Sequence, residues 1–263
     1  MHYEDRGSGP CLLLVHGMFV NSSVWCQLVP KVEESTRCVM PDLPLGAHKT
    51  PMNNADLSPP GLAAMLAEFI ERLQLHNVTV VGNDTGGALC QILCASHPDL
   101  VSRLVLTNCD AFEHFPPGAF RPIELAGAHV PGLIGGLDLL LRSRFSRRTL
   151  LAAAPLTMRP LPDDRLAEWF APLRDKRIRA DLRAVLQGVS NKHTLNAAEG
   201  LRSFARPSLI AWGARDRFFP LRDAERLAEI LPFARLEIID DARTYVQFDQ
   251  PERLANLLLE HVG

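Results

Sequence analysis

Apolar residues fall in short unbroken runs along this chain, and the stretches between them carry helical spacing. Cys11–Val15, Val78–Val81 and Leu104–Thr107 are almost wholly apolar or β-branched. Runs of that length without alternation predict strands buried on both faces. Arg37–Met40, Ser208–Trp212 and Arg235–Ile239 bring the predicted strands to six. Apolar positions recur three and four residues apart over Val24–Val32, Pro60–Leu73, Gly87–Ser96, Leu221–Leu231 and Glu252–His261, which predicts helices there. Alternation of this kind predicts an α/β fold, a mostly parallel central sheet with helices on both faces.

The rhythm stops between about residues 111 and 204, a segment rich in Pro, Leu, Ala and Arg. Leu137–Phe145 and Asp164–Leu173 read as helices within it. It is too long for a loop. The expectation is a helical lid or cap over the carboxyl edge of the sheet, where α/β folds bind ligands. The core would then be 1–110 with 205–263, and the cap 111–204. Arg142, Arg144, Arg147 and Arg148 lie inside the cap and read as a solvated charged face. His2–Arg6 reads as one more strand on an exposed edge. Such an edge leaves the oligomeric state open, a homodimer being one outcome.

Composition narrows the functional classes. With 263 residues, 47% hydrophobic and 22% charged, the chain can bury a sizeable core. A net charge of −2 provides no general attraction to nucleic acid or to an anionic membrane. The longest apolar run falls well short of the ~20 residues that span a bilayer. Residues 1–10 are polar and turn-rich, unlike a signal peptide, so a cytoplasmic protein is expected. Cysteines stand at 11, 26, 38, 90, 94 and 109 without a Cys-x-x-Cys pair or a histidine at zinc spacing. They read as reduced core residues, and neither a metal nor any other cofactor is expected. The expected partner is a small-molecule substrate.

The candidate chemistry sits where the Val78–Val81 run ends. Gly82-Asn83-Asp84-Thr85-Gly86-Gly87 has the spacing of a nucleophile elbow, Gly-x-nucleophile-x-Gly, with a carboxylate at its apex. Glycines give room for a strand to turn sharply into a helix, and the Thr85 N–H would point at the reacting atom. The plainer reading is an exposed aspartate capping a helix.

Three further segments join the elbow. They are Leu13-Leu14-Val15-His16-Gly17-Met18, Pro41-Asp42-Leu43-Pro44, and Ala211-Trp212-Gly213-Ala214-Arg215-Asp216 with Arg217-Phe218-Phe219-Pro220. With these the chain resembles the α/β-hydrolase superfamily over nearly its whole length. The resemblance implies a nucleophile at Asp84, an acid at Asp216 that orients a histidine, and oxyanion-hole N–H groups at Met18 and Thr85. His16 is then a structural histidine. Near its end the family carries roughly Gly-His-x-x-x-x-Asp-x-Pro-Glu. Arg243-Thr244 and Asp249-Gln250-Pro251-Glu252 match that spacing with Thr244 at the histidine position.

An aspartate nucleophile is similar to that of haloalkane dehalogenases and epoxide hydrolases. Thr85 and Met18 occupy the places where dehalogenases carry halide-binding N–H donors, and Tyr3 and Tyr245 both lie outside the cap. Three readings follow. The favoured one is a hydrolase for a small, largely apolar substrate, with His48, His114, His129 or His193 replacing the absent histidine. The second is a lyase, isomerase or cyclase using Asp84 as acid or base. The third is a ligand-binding protein that kept the fold and lost the chemistry.

Overall fold

The computed structural model describes residues 1–52, 54–153 and 155–263. Its seven strands are β1 Tyr3–Gly7, β2 Cys11–Val15, β3 Arg37–Pro41, β4 Thr79–Asp84, β5 Arg103–Cys109, β6 Ser208–Gly213 and β7 Ala234–Ile239. They form one sheet in the order β1-β3-β2-β4-β5-β6-β7. All pairs are parallel except β1, which runs antiparallel to β3 at the edge. The unbroken apolar runs are explained by the layering: every residue of β2 and β6 is buried. Leu13 and Val15 face one core layer while Leu12 and Leu14 face the other, as the two-residue period of a strand requires.

Helices α1 Pro59–Arg72 and α2 Thr85–Ser96 cover the first layer. Between β5 and β6 the chain forms α3 Arg121–His129, α4 Leu133–Leu141, α5 Arg144–Ala153, α6 Asp163–Phe170, α7 Lys176–Gly188 and α8 Asn191–Leu201. Then α9 Leu221–Ile230 joins the first layer and α10 Pro251–Val262 packs on the second. No strand is assigned between β5 and β6 among the described residues.

Local sequence explains where predicted helices break. The expected helix at Val24–Val32 is instead a 3-10 turn, Ser22–Trp25, and a separate turn, Val29–Val32. Pro30 has no N–H to continue a helical ladder and its ring clashes with the carbonyl four residues back. Asn21 caps the first turn by accepting the Ser23 N–H at 3.1 Å. The expected Leu137–Phe145 helix divides between α4 and α5. There the Arg147 guanidinium donates to the carbonyls of Leu141 (2.8 Å) and Arg142 (2.9 Å) and pairs with Asp163 at 2.7 Å. It takes up acceptors that a helix end leaves free, so this arginine of the run is structural and buried. The expected Asp164–Leu173 helix ends at Phe170 and tightens into a 3-10 turn containing Pro172.

The helices between β5 and β6 have an apolar cluster of their own, in which Ile134 and Leu141 meet Leu173, Ile178, Leu182 and Leu186. Helix α8 lies instead against α2, so closely that a Cβ on Gly200 would come within 2.7 Å of the Ala95 methyl. Three core loops each meet an aromatic ring from this segment: Phe19 with Phe170 (6.4 Å between centroids), Phe218 with Phe120 (4.7 Å) and Tyr245 with Trp169 (6.2 Å).

The turn from β4 into α2 sets the tightest steric demand. A Cβ on Gly86 would collide with the carbonyl oxygens of Val15 and His16, and one on Gly82 would lie 2.6 Å from the Gly87 Cα. Gly86→Ala should therefore destabilise the protein by about 3 kcal/mol or abolish folding, since overpacked backbone has no room to relax. Gly118→Ala, with nothing within 4 Å of the added methyl, should be close to neutral. Urea denaturation of the pair checks this, and equal stability of the two variants would contradict it.

Candidate active site

Asp84 stands at the junction of β4 and α2 with φ 56° and ψ −134°. A non-glycine residue in that conformation is strained by about 1–3 kcal/mol and is held there by its surroundings. The strain turns the carboxyl group back toward the His16-Gly17-Met18 loop. Oδ1 accepts the N–H of Thr85 at 2.5 Å and, more loosely, that of Met18 at 3.4 Å. A Cβ on Gly17 would lie 2.5 Å from the Asp84 Cγ, so this backbone can approach only as glycine. The loop is set by His16, whose Nδ1 donates to the Gly17 carbonyl (2.8 Å) while Nε2 accepts the Leu43 N–H (2.9 Å). With one nitrogen donating and one accepting, the ring is neutral, and burial lowers its pKa further.

Burial pushes the Asp84 pKa up to about 6, against the Thr85 and Met18 N–H groups, which favour the anion; the charge of Asp216 adds a smaller upward push. The carboxylate thus predominates above about pH 6. Thr85 links Asp84 to a second acid. Its hydroxyl donates to Asp110 Oδ2 at 3.1 Å, and the other Asp110 oxygen is buried without a partner. Burial, and then the Asp84 charge, raise the Asp110 pKa well above the carboxylate range.

Asp216 occupies the loop after β6. Its Oδ1 accepts the N–H groups of Phe218 (2.7 Å) and Phe219 (3.0 Å), and Oδ2 accepts the Thr244 hydroxyl at 2.9 Å. Burial nonetheless raises its pKa. Thr244 is fully buried and its carbonyl accepts the Asn83 side-chain N–H at 2.7 Å. Asn83 also donates to Thr107 Oγ1 and the Asn108 carbonyl, and accepts from Gln247 at 2.9 Å. Asn108 in turn grips Gly213 through both its N–H and its C=O. One buried amide network therefore ties the elbow, the end of β5, the Asp216 loop and the Thr244 turn together.

The structure thus brings Asp84, Met18 and Thr85 to one point and Asp216 and Thr244 to another beside it. Among the described residues no histidine ring hydrogen-bonds to Asp84 or Asp216. His48 donates to Asp181 on α7 at 3.1 Å, His114 pairs with Asp223 at 2.6 Å, and His129 bonds the Leu125 carbonyl. His193 carries a pKa lowered mainly by burial, with its backbone contact at Gly188. Asn83, Asn108, Asp110 and Gln247 escaped the sequence reading. The signal for three of them was present as polar residues at the carboxyl ends of apolar strands, where an α/β sheet places its site.

Asp84 keeps part of its surface accessible. Two surface hollows lie elsewhere. One of about 580 Å³ is at the amino ends of the strands, between Cys11 and Arg103. The other, about 330 Å³, is beside Lys49 and Asp175.

Comparison with known proteins identifies the family and the fold. A family model described as alpha/beta hydrolase fold matches residues 10–251. Haloalkane dehalogenase 2 of Mycobacterium tuberculosis is 26% identical over all of this chain and 91% of its own length. Human monoacylglycerol lipase ABHD6 is 21% identical over all of this chain and 81% of its own length. The solved structure of an alpha/beta hydrolase fold protein from Burkholderia ambifaria superposes with a TM-score of 0.81 at 25% identity, covering 98% of this chain and 93% of that one.

Two measurements probe the site. The raised Asp84 pKa means that its contribution favours folding most when the group is protonated and is lost as pH rises through about 6. Asp84→Asn should thus stabilise the protein by about 2 kcal/mol above that pH and have little effect near pH ~4. A gain that does not grow with pH in urea titrations would contradict the burial argument. Asn83→Ala should cost about 3 kcal/mol at any pH, since it strands the buried Thr244 carbonyl and the Gln247 amide. Thermal melting across that pH range reads it, and a loss below 1 kcal/mol would show that the network is not needed.

Proposed function

Because this chain belongs to the α/β-hydrolase fold family, we propose that it is an enzyme whose nucleophile is the Asp84 carboxylate, acting on a small, largely apolar molecule. The observation that carries this reading is the pair of N–H groups from Thr85 and Met18 on Asp84 Oδ1. They hold one oxygen and leave the other to attack. In this reading Oδ2 forms a bond to an electrophilic carbon, the leaving group departs with its electron pair, and Asp84 becomes an ester. Oδ1 is then the ester carbonyl oxygen and already lies at the donors that would stabilise an oxyanion when water attacks. Residues 111–204 serve as the cap over a core of 1–110 and 205–263.

The second half-reaction is the weak one. Thr244 stands against Asp216 where the family places a histidine, and a threonine hydroxyl does not accept a proton near pH 7. The ester should therefore form faster than it breaks. A second reading, acid–base catalysis by Asp84 without a covalent step, draws on the same raised pKa. It is separated from the first by whether an adduct forms.

Incubation with a reactive alkyl halide should leave a persistent mass adduct mapped to Asp84, and Asp84→Asn should abolish it. Adduct formation should slow as pH falls through about 6, as the nucleophile protonates. Thr244→His should speed ester loss by about tenfold or more by giving Asp216 an imidazole to orient. Steady halide release by the natural protein should stay low, because losing one stabilising donor alone costs ~10²–10³ in rate. Absence of any Asp84 adduct would overturn the covalent reading.

A further inference from the structure

The segment from α3 to the start of α5 has an unusual surface. Among the described residues thirteen large apolar side chains are exposed, and seven of them lie between Ile123 and Phe145. Phe145 is 79% exposed and Leu139 63%. Helix geometry explains the placement. On α4, Ile134, Asp138 and Leu141 recur about a turn apart and are buried, which leaves Leu133, Leu139 and Leu140 outside. On α3 the buried positions are Gly127 and Ala128, which leaves Ile123 and Leu125 outside. Consecutive helices α3, α4 and α5 are in contact, so these exposed side chains lie on neighbouring elements.

The same stretch is basic. Residues 121–149 hold five arginines and two carboxylates, and Asp163, which Arg147 and Arg144 face, brings the net charge to +2 in a chain whose total is −2. Arg147 is buried against Asp163, and Arg142 pairs with Asp138 on its inner side. Arg144 reaches Asp163 only at 3.8 Å and its side chain is 65% exposed. Arg121 and Arg148 are exposed as well. The whole-chain charge, which argues against an anionic surface as partner, conceals a local charge that argues for one.

We propose that this face, Ile123, Leu125, Leu133, Leu139, Leu140 and Phe145 rimmed by Arg121, Arg142, Arg144 and Arg148, docks peripherally on an anionic lipid bilayer. Exposed leucine and phenylalanine beside arginine is the combination that partitions into the headgroup boundary. Helices of nine residues rise only about 13 Å, less than half a bilayer core, and α3 turns into α4 by 118°, so the contact lies in the interface. Among the described residues no single helix is long and apolar enough to cross a membrane. A second copy of the chain is the poorer occupant, because a two-fold contact would set one basic patch against another.

Flotation with vesicles of phosphatidylcholine containing about 30% phosphatidylglycerol tests the proposal. Binding should be about tenfold stronger than to phosphatidylcholine alone and should weaken as salt rises. Leu139→Glu with Phe145→Glu should reduce it about tenfold with unchanged far-UV circular dichroism and melting, since both side chains are exposed. Arg144→Ala with Arg148→Ala should reduce it several-fold and flatten the salt dependence. Asp84→Asn should leave it unchanged, so the inference stands or falls apart from the proposed reaction. No binding, binding without preference for the anionic lipid, or binding insensitive to these substitutions would overturn it. So would a concentration-dependent dimer in sedimentation that Phe145→Glu dissolves, which would assign the face to a second copy.

Discussion

The molecule is organised around one steric constraint, the passage of the chain from β4 into α2 through a backbone conformation that a side chain resists. Asp84 sits at positive φ because Gly82, Gly86 and Gly87 let neighbouring backbone close to within distances no Cβ would allow. That closeness brings the Val15–Met18 loop against the elbow. It thereby places two backbone N–H groups on the Asp84 carboxylate. Neither donor is a side chain, so the geometry depends on the path of the main chain.

A second layer of polar contacts prevents that turn from relaxing. Asn83 points away from Asp84, into the protein, and bonds to β5 and to the turn carrying Thr244. Asn108 does the same for the loop carrying Asp216. Buried amides satisfied in this way rigidify a site, and each would be costly if left unpaired. Three carboxyl groups, Asp84, Asp110 and Asp216, are gathered in this small region with their pKa values all raised. Holding them there lowers stability at neutral pH, a cost that a fold serving packing alone would avoid. The Thr85 hydroxyl donates to Asp110 and so links two of the three.

The helices between β5 and β6 divide their apolar residues between two surfaces. The inner one is held by Ile134, Leu141, Ile178 and Leu182, and by the His48–Asp181 bond that joins the core loop to α7. The outer one keeps Leu139, Leu140 and Phe145 in solvent. A helix that is apolar nearly all round finds partners on one side within this chain and needs an apolar or interfacial environment on the other. Arg147, buried in the α4–α5 corner, fixes the angle at which Phe145 and Arg144 are presented.

The strands, the alternation and the elbow were legible in the amino-acid order because each rests on local chemistry. Both-sided burial makes β2 an unbroken apolar run and β6 nearly one, and the crowding at the turn leaves room only for glycine at 82, 86 and 87. The spacing before Asp249-Gln250-Pro251-Glu252 likewise marked Thr244, and the structure sets its hydroxyl against Asp216. Helix ends were less legible. Pro30 stopped one helix, and Arg147 closes another through contacts that sequence neighbours do not reveal. The polar positions of Asn83 and Asn108 at strand ends were visible, but their connections were not, since Asn83, Asn108 and Gln247 are far apart in sequence and meet only when four segments converge. Only tertiary structure decided which histidines are taken up elsewhere, because a ring's partner is set by packing: Asp181 for His48 and Asp223 for His114. It alone decided which leucines of the α3–α5 stretch face inward, since the pattern there is apolar on both sides and the buried face depends on what α7 brings against it.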